Sequence, residues 1–264
     1  MSAAVLAAAP ATTPALSASP LPAHVATAMW RASELGSATG DVVPSGFTAL
    51  DAELPGGGWP CRAVSEILAP QPGVLEYRLL GGALRHAVAA GRTVVLIGPP
   101  GTPHLPGLRH AGLDERHVVW IRADAPSERL WCTELLVKSG ACGAVVAWLP
   151  QARPEQVRRL QVCAQSCDAP TFLLRPLAAR HEPSAAPLRV LATVGLDWEL
   201  HLQILKRRGG THDGVLTVPS IPGGLAAVLT PRLLQPSRLI ERVERNVDAV
   251  GRPAPARRSH STAH

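Results

Sequence analysis

Residues 66–80, EILAPQPGVLEYRLL, run from a short apolar stretch through a Pro/Gly turn into an apolar pattern at helical spacing. A strand, a turn and the helix it opens are the setting of a phosphate-binding loop, because the unpaired N–H groups of a helix start attract anions. That chemistry asks for glycines where the backbone approaches the phosphates, then lysine for charge and serine or threonine for magnesium. Here the last three positions are Val74, Leu75 and Glu76, and Pro72 lacks the N–H that the cradle would use. The bend is present without its cation or its metal ligand.

The loss is large. Removing one preorganised charge-stabilising donor costs about 2.7–4 kcal/mol. A carboxylate about 4 Å from a phosphate adds roughly 4 kcal/mol of repulsion at an effective dielectric near 20. The first effect alone removes roughly two to three decades of affinity. No nucleotide cofactor is expected.

Other chemistries find less support. The chain has 10 histidines but no CxxC, HExxH or EF-hand spacing. Cys163 and Cys167 lie four apart in a predicted helix with no second ligand pair, which reads as core or surface thiols rather than a metal site. A GxSxG nucleophile elbow is missing, and no catalytic residue is assigned. No metal is expected either.

The elements that would position these residues follow from periodicity. Apolar runs at 63–68, 93–98, 117–123, 143–149 and 171–176 read as strands, those at 93–98 and 117–123 buried on both faces. Helical patterns fill 74–90, 126–138 and 155–165, with Gly91 and Gly140 as stops and Gly81 and Gly82 weakening the first. Strand and helix in alternation predict an α/β fold, a mostly parallel sheet flanked by helices. LRVLATV and ELHLQILK are closely spaced and the second alternates, so an antiparallel pair is expected at the sheet edge, with 214–219 as a further strand.

Of the 264 residues, 46% are hydrophobic but only 3% aromatic, so aliphatic layers must form the core. No apolar run reaches the length of a membrane span. Five cysteines in mostly apolar segments suit reduced thiols and a cytoplasmic setting. Residues 1–26 are rich in Ala, Pro, Ser and Thr and read as a disordered leader. Next comes MWRASELG, a predicted short helix with Trp30 and Leu35 as anchors. A core over 27–232 and a basic flexible tail over 233–264 complete the expected organisation. The formal charge of +6 is partly local, since residues 236–264 carry six arginines against three acids. A basic chain favours acidic partners.

Residues 43–67, VPSGFTALDAELPGGGWPCRAVSEI, resemble the approach to the ATPase core of RecA-type recombinases. Ser45, Gly46, Leu50, Asp51, Gly57, Gly58, Pro60, Glu66 and Ile67 carry the match. Over a longer span, from Trp30 to about Leu234 and including SGACGAVVAW and ILKRRGG, the chain resembles the ImuA family, RecA-like accessory proteins of bacterial translesion mutagenesis. A SulA-like division inhibitor, with a related core, is the neighbouring reading.

The resemblance sets the opening loop against Gly-Pro-Glu-Ser-Ser-Gly-Lys-Thr, where this chain has Ala69, Pro70, Gln71, Pro72, Gly73, Val74, Leu75 and Glu76. It puts Pro100 at the place of a catalytic glutamate and Trp148 at that of the magnesium-holding aspartate. What it implies is a non-catalytic RecA-like adaptor in the SOS response, with RecA and the Y-family polymerase-like ImuB as partners and an error-prone polymerase and the sliding clamp reached through them. The family's DNA loops are shortened after Trp148 and around AARHEPSAA, so direct DNA binding is expected to be weak or absent. Lys206, Arg207 and Arg208 overlie a basic segment that in the recombinase reaches a neighbour's nucleotide; they are candidate RecA contacts, or simply an exposed basic hairpin end. In the tail, Leu233, Leu234, Leu239 and Ile240 with Arg242, Arg245, Arg257 and Arg258 are candidate contacts for ImuB or DNA, or serve solubility alone. An ATPase with an unorthodox site and a SulA-like inhibitor of the division protein FtsZ remain the alternatives.

Overall fold

The computed structural model describes residues 41–210, 212–221 and 225–238. The leader, the MWRASELG segment and tail residues Leu239, Ile240, Arg242, Arg245, Arg257 and Arg258 lie outside them.

An antiparallel pair, β1 (Val42–Val43) with β2 (Trp59–Pro60), brackets α1 (Thr48–Glu53). Next come β3 (Val64–Ala69), α2 (Glu76–Ala89), β4 (Val94–Ile97), α3 (Leu105–His110), β5 (Val118–Ile121), α4 (Pro126–Ser139), β6 (Ala144–Trp148), α5 (Pro154–Ala164) and β7 (Thr171–Pro176). The strands β8 (Leu188–Val194), β9 (Glu199–Lys206) and β10 (Leu216–Pro219) follow, with short turns α6 (Leu225–Val228) and α7 (Pro231–Leu234) last. The eight-stranded sheet has the order β10-β9-β8-β3-β7-β6-β4-β5. From β8 through β5 the strands are parallel, and β9 and β10 add antiparallel pairings. The fold is α/β, as the alternating pattern predicts.

Both faces of the sheet are covered. Val94 and Leu96 pack with Leu79, Leu80, Leu84 and Leu108 from α2 and α3, while Val95 and Ile97 pack with Leu130, Val137, Val157 and Leu160 from α4 and α5. A strand that is apolar at every position is thereby explained.

The expectation for β5 needs correcting. Val119 and Trp120 are 45% and 40% exposed, because β5 ends the sheet and has one strand neighbour. Its apolar run looks like a central strand, yet position in the sheet, which a run of four residues does not encode, decides its burial. On the far side β10, rather than the β8–β9 pair, forms the edge.

The glycines of α2 have a reason. A Cβ on Gly82 would lie 2.0 Å from the carbonyl oxygen of Ser45, so the helix crosses the 45–46 turn at backbone distance. That turn is built by Asp51, whose carboxylate accepts from Ser45 N–H at 2.9 Å. Leu50 is fully buried, and Trp59 meets Phe172 edge to face at 5.3 Å. The residues of the 43–67 match therefore place the first turn against α2 and the sheet.

Candidate functional site

The 69–76 loop leaves the carboxyl end of β3, between β7 and β8, and enters α2. Ligands of open α/β sheets bind outside that end of the strands. Gly73, at φ +84, makes the bend. Leu75 caps the helix with no side-chain hydrogen bond and is 2% exposed, so it belongs to the apolar core. Val74 faces outward at 47% exposure.

Glu76 fills the cradle. Its side chain is 1% exposed and turns back over the loop, where Gly73 N–H donates to Oε1 at 2.6 Å and Leu75 N–H to Oε2 at 3.1 Å. The indole N–H of Trp148 donates to Oε1 at 3.1 Å. Carboxylate acceptors at a helix start are favoured by the macrodipole, and charge-assisted bonds are the strong kind. Glu76 thus supplies the loop with an anion, and Trp148 at the end of β6 supplies a donor for it.

Pro100 completes the arrangement. A Cβ on Gly73 would lie 2.9 Å from Pro100 Cγ, so proline covers the bend. Ala69, Pro72, Glu76, Pro100, Trp148 and Arg175 are among the residues around a cavity of about 250 Å3. That lies below the roughly 300–1,000 Å3 of small-molecule sites. The loop, Pro100 and Trp148 thus meet at one cavity.

Two neighbours escaped the sequence reading. Arg129 of α4 reaches the same cavity, its Nε donating to the Ala123 carbonyl at 2.8 Å. Nothing in a helical repeat marks an arginine as inward-turned. Tyr77 lies beside Trp148, ring centroids 6.3 Å apart, with its hydroxyl buried and without a hydrogen-bond partner. Burial first, and the Glu76 carboxylate second, push its pKa up to about 12. It is therefore a neutral phenol, not a base.

Beneath the loop, Glu66 is fully buried between two arginines. Arg175 Nη1 donates to Oε1 at 2.8 Å and Arg189 Nε to Oε2 at 2.6 Å. Arg175 also holds Glu182 at 2.7 Å, and Arg189 Nη2 donates to the Ala179 carbonyl at 2.7 Å. The AARHEPSAA segment is thus tied down on β3, β7 and β8. Breaking such a buried pair from one side costs about 3–5 kcal/mol.

The basic run lies elsewhere. Because β9 runs antiparallel to β8, residues 206–208 emerge where the parallel strands begin, opposite the 69–76 loop. Lys206 Nζ donates to the Ser184 carbonyl at 2.9 Å, and Arg207 pairs with Glu53 at 2.9 Å, where His212 joins at 3.0 Å. Arg208 is exposed. The three cations are therefore unequal: Lys206 and Arg208 are exposed, and Arg207 is half-buried.

In the C-terminal segment Leu233 is 51% exposed while its carbonyl accepts from the Trp198 indole at 2.8 Å. Asp197 accepts from Ser237 N–H at 2.9 Å and from its hydroxyl at 2.7 Å, which lowers the Asp197 pKa. Leu234 is half-buried, so of the two leucines Leu233 is the better placed to meet another molecule. All five cysteines are free thiols. Among the described residues no cluster of His, Cys, Asp or Glu could hold a metal ion, and no helix is long and apolar enough to cross a membrane.

Fold and site together define an α/β protein whose strand–turn–helix loop is closed by its own glutamate. No protein-family model matches this sequence, and no curated protein matches it.

Proposed function

We propose that this chain is a non-catalytic adaptor with a RecA-like core, acting in SOS-induced translesion DNA synthesis in the cytoplasm. The observation that carries the non-catalytic half is the Glu76 carboxylate bound to the N–H groups of Gly73 and Leu75. A phosphate would have to displace it, against the loss of three donors and the repulsion of a second anion. Trp148 and Pro100 are packed on the same spot, and the carboxylate there, that of Glu76, is already held by three donors. The translesion half is supported by the resemblance of residues 30–234 to the ImuA family; the mostly parallel sheet is consistent with a RecA-like core and is not specific to it.

On this reading the core meets RecA and the C-terminal segment meets ImuB, with the polymerase and sliding clamp reached through them. Two measurements test it. Calorimetry with magnesium-ATP is expected to give no binding; tight magnesium-dependent binding with turnover sinks the adaptor and favours the ATPase. A pull-down from damaged cells compares the full chain with a truncation after Leu234. Retention of RecA with loss of ImuB is expected, and recovery of neither partner by the full chain removes the translesion assignment. Filamentous cells on overexpression, with unchanged mutation frequency on deletion, would point to the division inhibitor instead.

A further inference from the structure

Beside the closed loop lies a groove of about 980 Å3, bounded by Tyr77, Arg78, Gly82 and Arg85 of α2 on one side. The 45–49 turn, the 99–104 segment, α3 and residues 217–221 form its other walls. Its volume stands near the top of the range for ligand sites.

The charge in this groove is one-sided. Arg78, Arg85, His104 and His110 line it, and among the described residues no aspartate or glutamate does. Arg78 is structural, bonded to Ser220 at 2.6 Å and to the Glu199 carbonyl at 3.3 Å while lying over the Trp198 ring. Arg85 is exposed and gives one N–H to the Ala111 carbonyl at 3.2 Å, which leaves most of its guanidinium to the groove. His104 Nδ1 accepts from Gly107 N–H at 3.1 Å, so the ring carries its proton on Nε2 as a free donor. The buried, unpartnered Tyr77 hydroxyl belongs to the same wall. Between these polar groups, Phe47, Leu108, Val218 and Ile221 supply apolar lining.

We propose that this groove docks a peptide segment of a partner protein in which carboxylates alternate with apolar side chains. Cations without counter-charges set the first requirement, and the apolar lining sets the second. A nucleoside polyphosphate meets only the first, since at the Gly73 end the loop N–H groups that would hold its phosphates already bond Glu76. The inference goes beyond the adaptor reading and rests on the groove alone, whether or not the protein acts in damage tolerance.

The test is fluorescence anisotropy on the full chain with a labelled decapeptide alternating Glu or Asp with Leu or Phe, beside one with Lys in place of the acids. The acidic peptide is expected to bind about tenfold or more tightly than the basic one, the worth of one charge-assisted contact. Arg85→Glu is expected to erase that difference. Because Arg85 also bonds Ala111, Thr102→Glu serves as a second variant, placing a carboxylate on the exposed rim without removing a bond, and it is expected to weaken the acidic peptide similarly. Equal affinity for the two peptides, or no change in both variants, overturns the proposal. Displacement of the peptide by magnesium-ATP also overturns it, and assigns the groove to a nucleotide.

Discussion

Replacing Glu76 by alanine separates a filled anion site from an ordinary buried acid. Three donors lose their acceptor. Leu75 N–H and the Trp148 indole are buried, while Gly73 N–H is partly open to water. Each buried donor left unpaired costs about 1–3 kcal/mol, so the two give roughly 2–6. The variant also sheds the burden of desolvating a carboxylate, which offsets part of this. A net loss of about 2–4 kcal/mol in urea unfolding is the expected result, with Glu76→Gln in between because one oxygen remains. The second limb is more discriminating. With the carboxylate gone the loop directs its N–H groups into vacant space, and inorganic phosphate should stabilise the variant by about 1.4 kcal/mol at ten times its Kd, but not the parent. A Glu76→Ala protein within about 0.5 kcal/mol of the parent refutes the reasoning, since that is the scatter of an ordinary surface change. So does phosphate that stabilises both proteins alike.

Gly82→Ala should lower stability by about 1–3 kcal/mol, since its Cβ would press on the backbone oxygen of Ser45 at 2.0 Å. Gly81→Ala meets only the movable Nη1 of Arg85 at 3.1 Å and should stabilise by up to about 1 kcal/mol. Equal effects of the two in thermal melts would discard the close crossing of α2 and the 45–46 turn. Among the thiols, burial pushes Cys61 up to about 11, so at pH 8 on the order of one molecule in a thousand carries the thiolate. Half-exposed Cys132 should be alkylated by iodoacetamide first, followed by mass spectrometry, and Cys61 should react freely only in urea. Equal labelling of Cys61 in the native and unfolded chain contradicts the packing at β2.

The sheet was readable because each buried strand is apolar at consecutive positions and is separated from the next by a helix with its own stop, such as Gly140 at φ 62 after α4. Order within the sheet was not. The run VVWI of β5 matches VVLI of β4 in pattern, yet one is an edge and the other is interior. Alternation encodes which face is apolar and says nothing about how many neighbours a strand has. At the site, the absence of lysine and hydroxyl residues was visible in Val74, Leu75 and Glu76. What replaced them was not, because Glu76 and Trp148 stand 72 positions apart and only the sheet brings indole to carboxylate. The resemblance puts Trp148 at the place of an acid, whereas the fold makes it a donor.

A phosphate loop works as a switch because it has two states, occupied and empty, and a ligand shifts a population only by its differential affinity for them. Glu76 is attached to the loop it fills, so its effective concentration there is high. The ion pairs of Glu66 with Arg175 and Arg189 fix the strand immediately before it, and Pro100 closes the bend from above. Each of these features removes a degree of freedom that a nucleotide cycle would need. On the adaptor reading the loop does not report on a ligand, and regulation acts through other surfaces, such as the groove beside the loop or exposed Arg208 at the opposite end of the sheet.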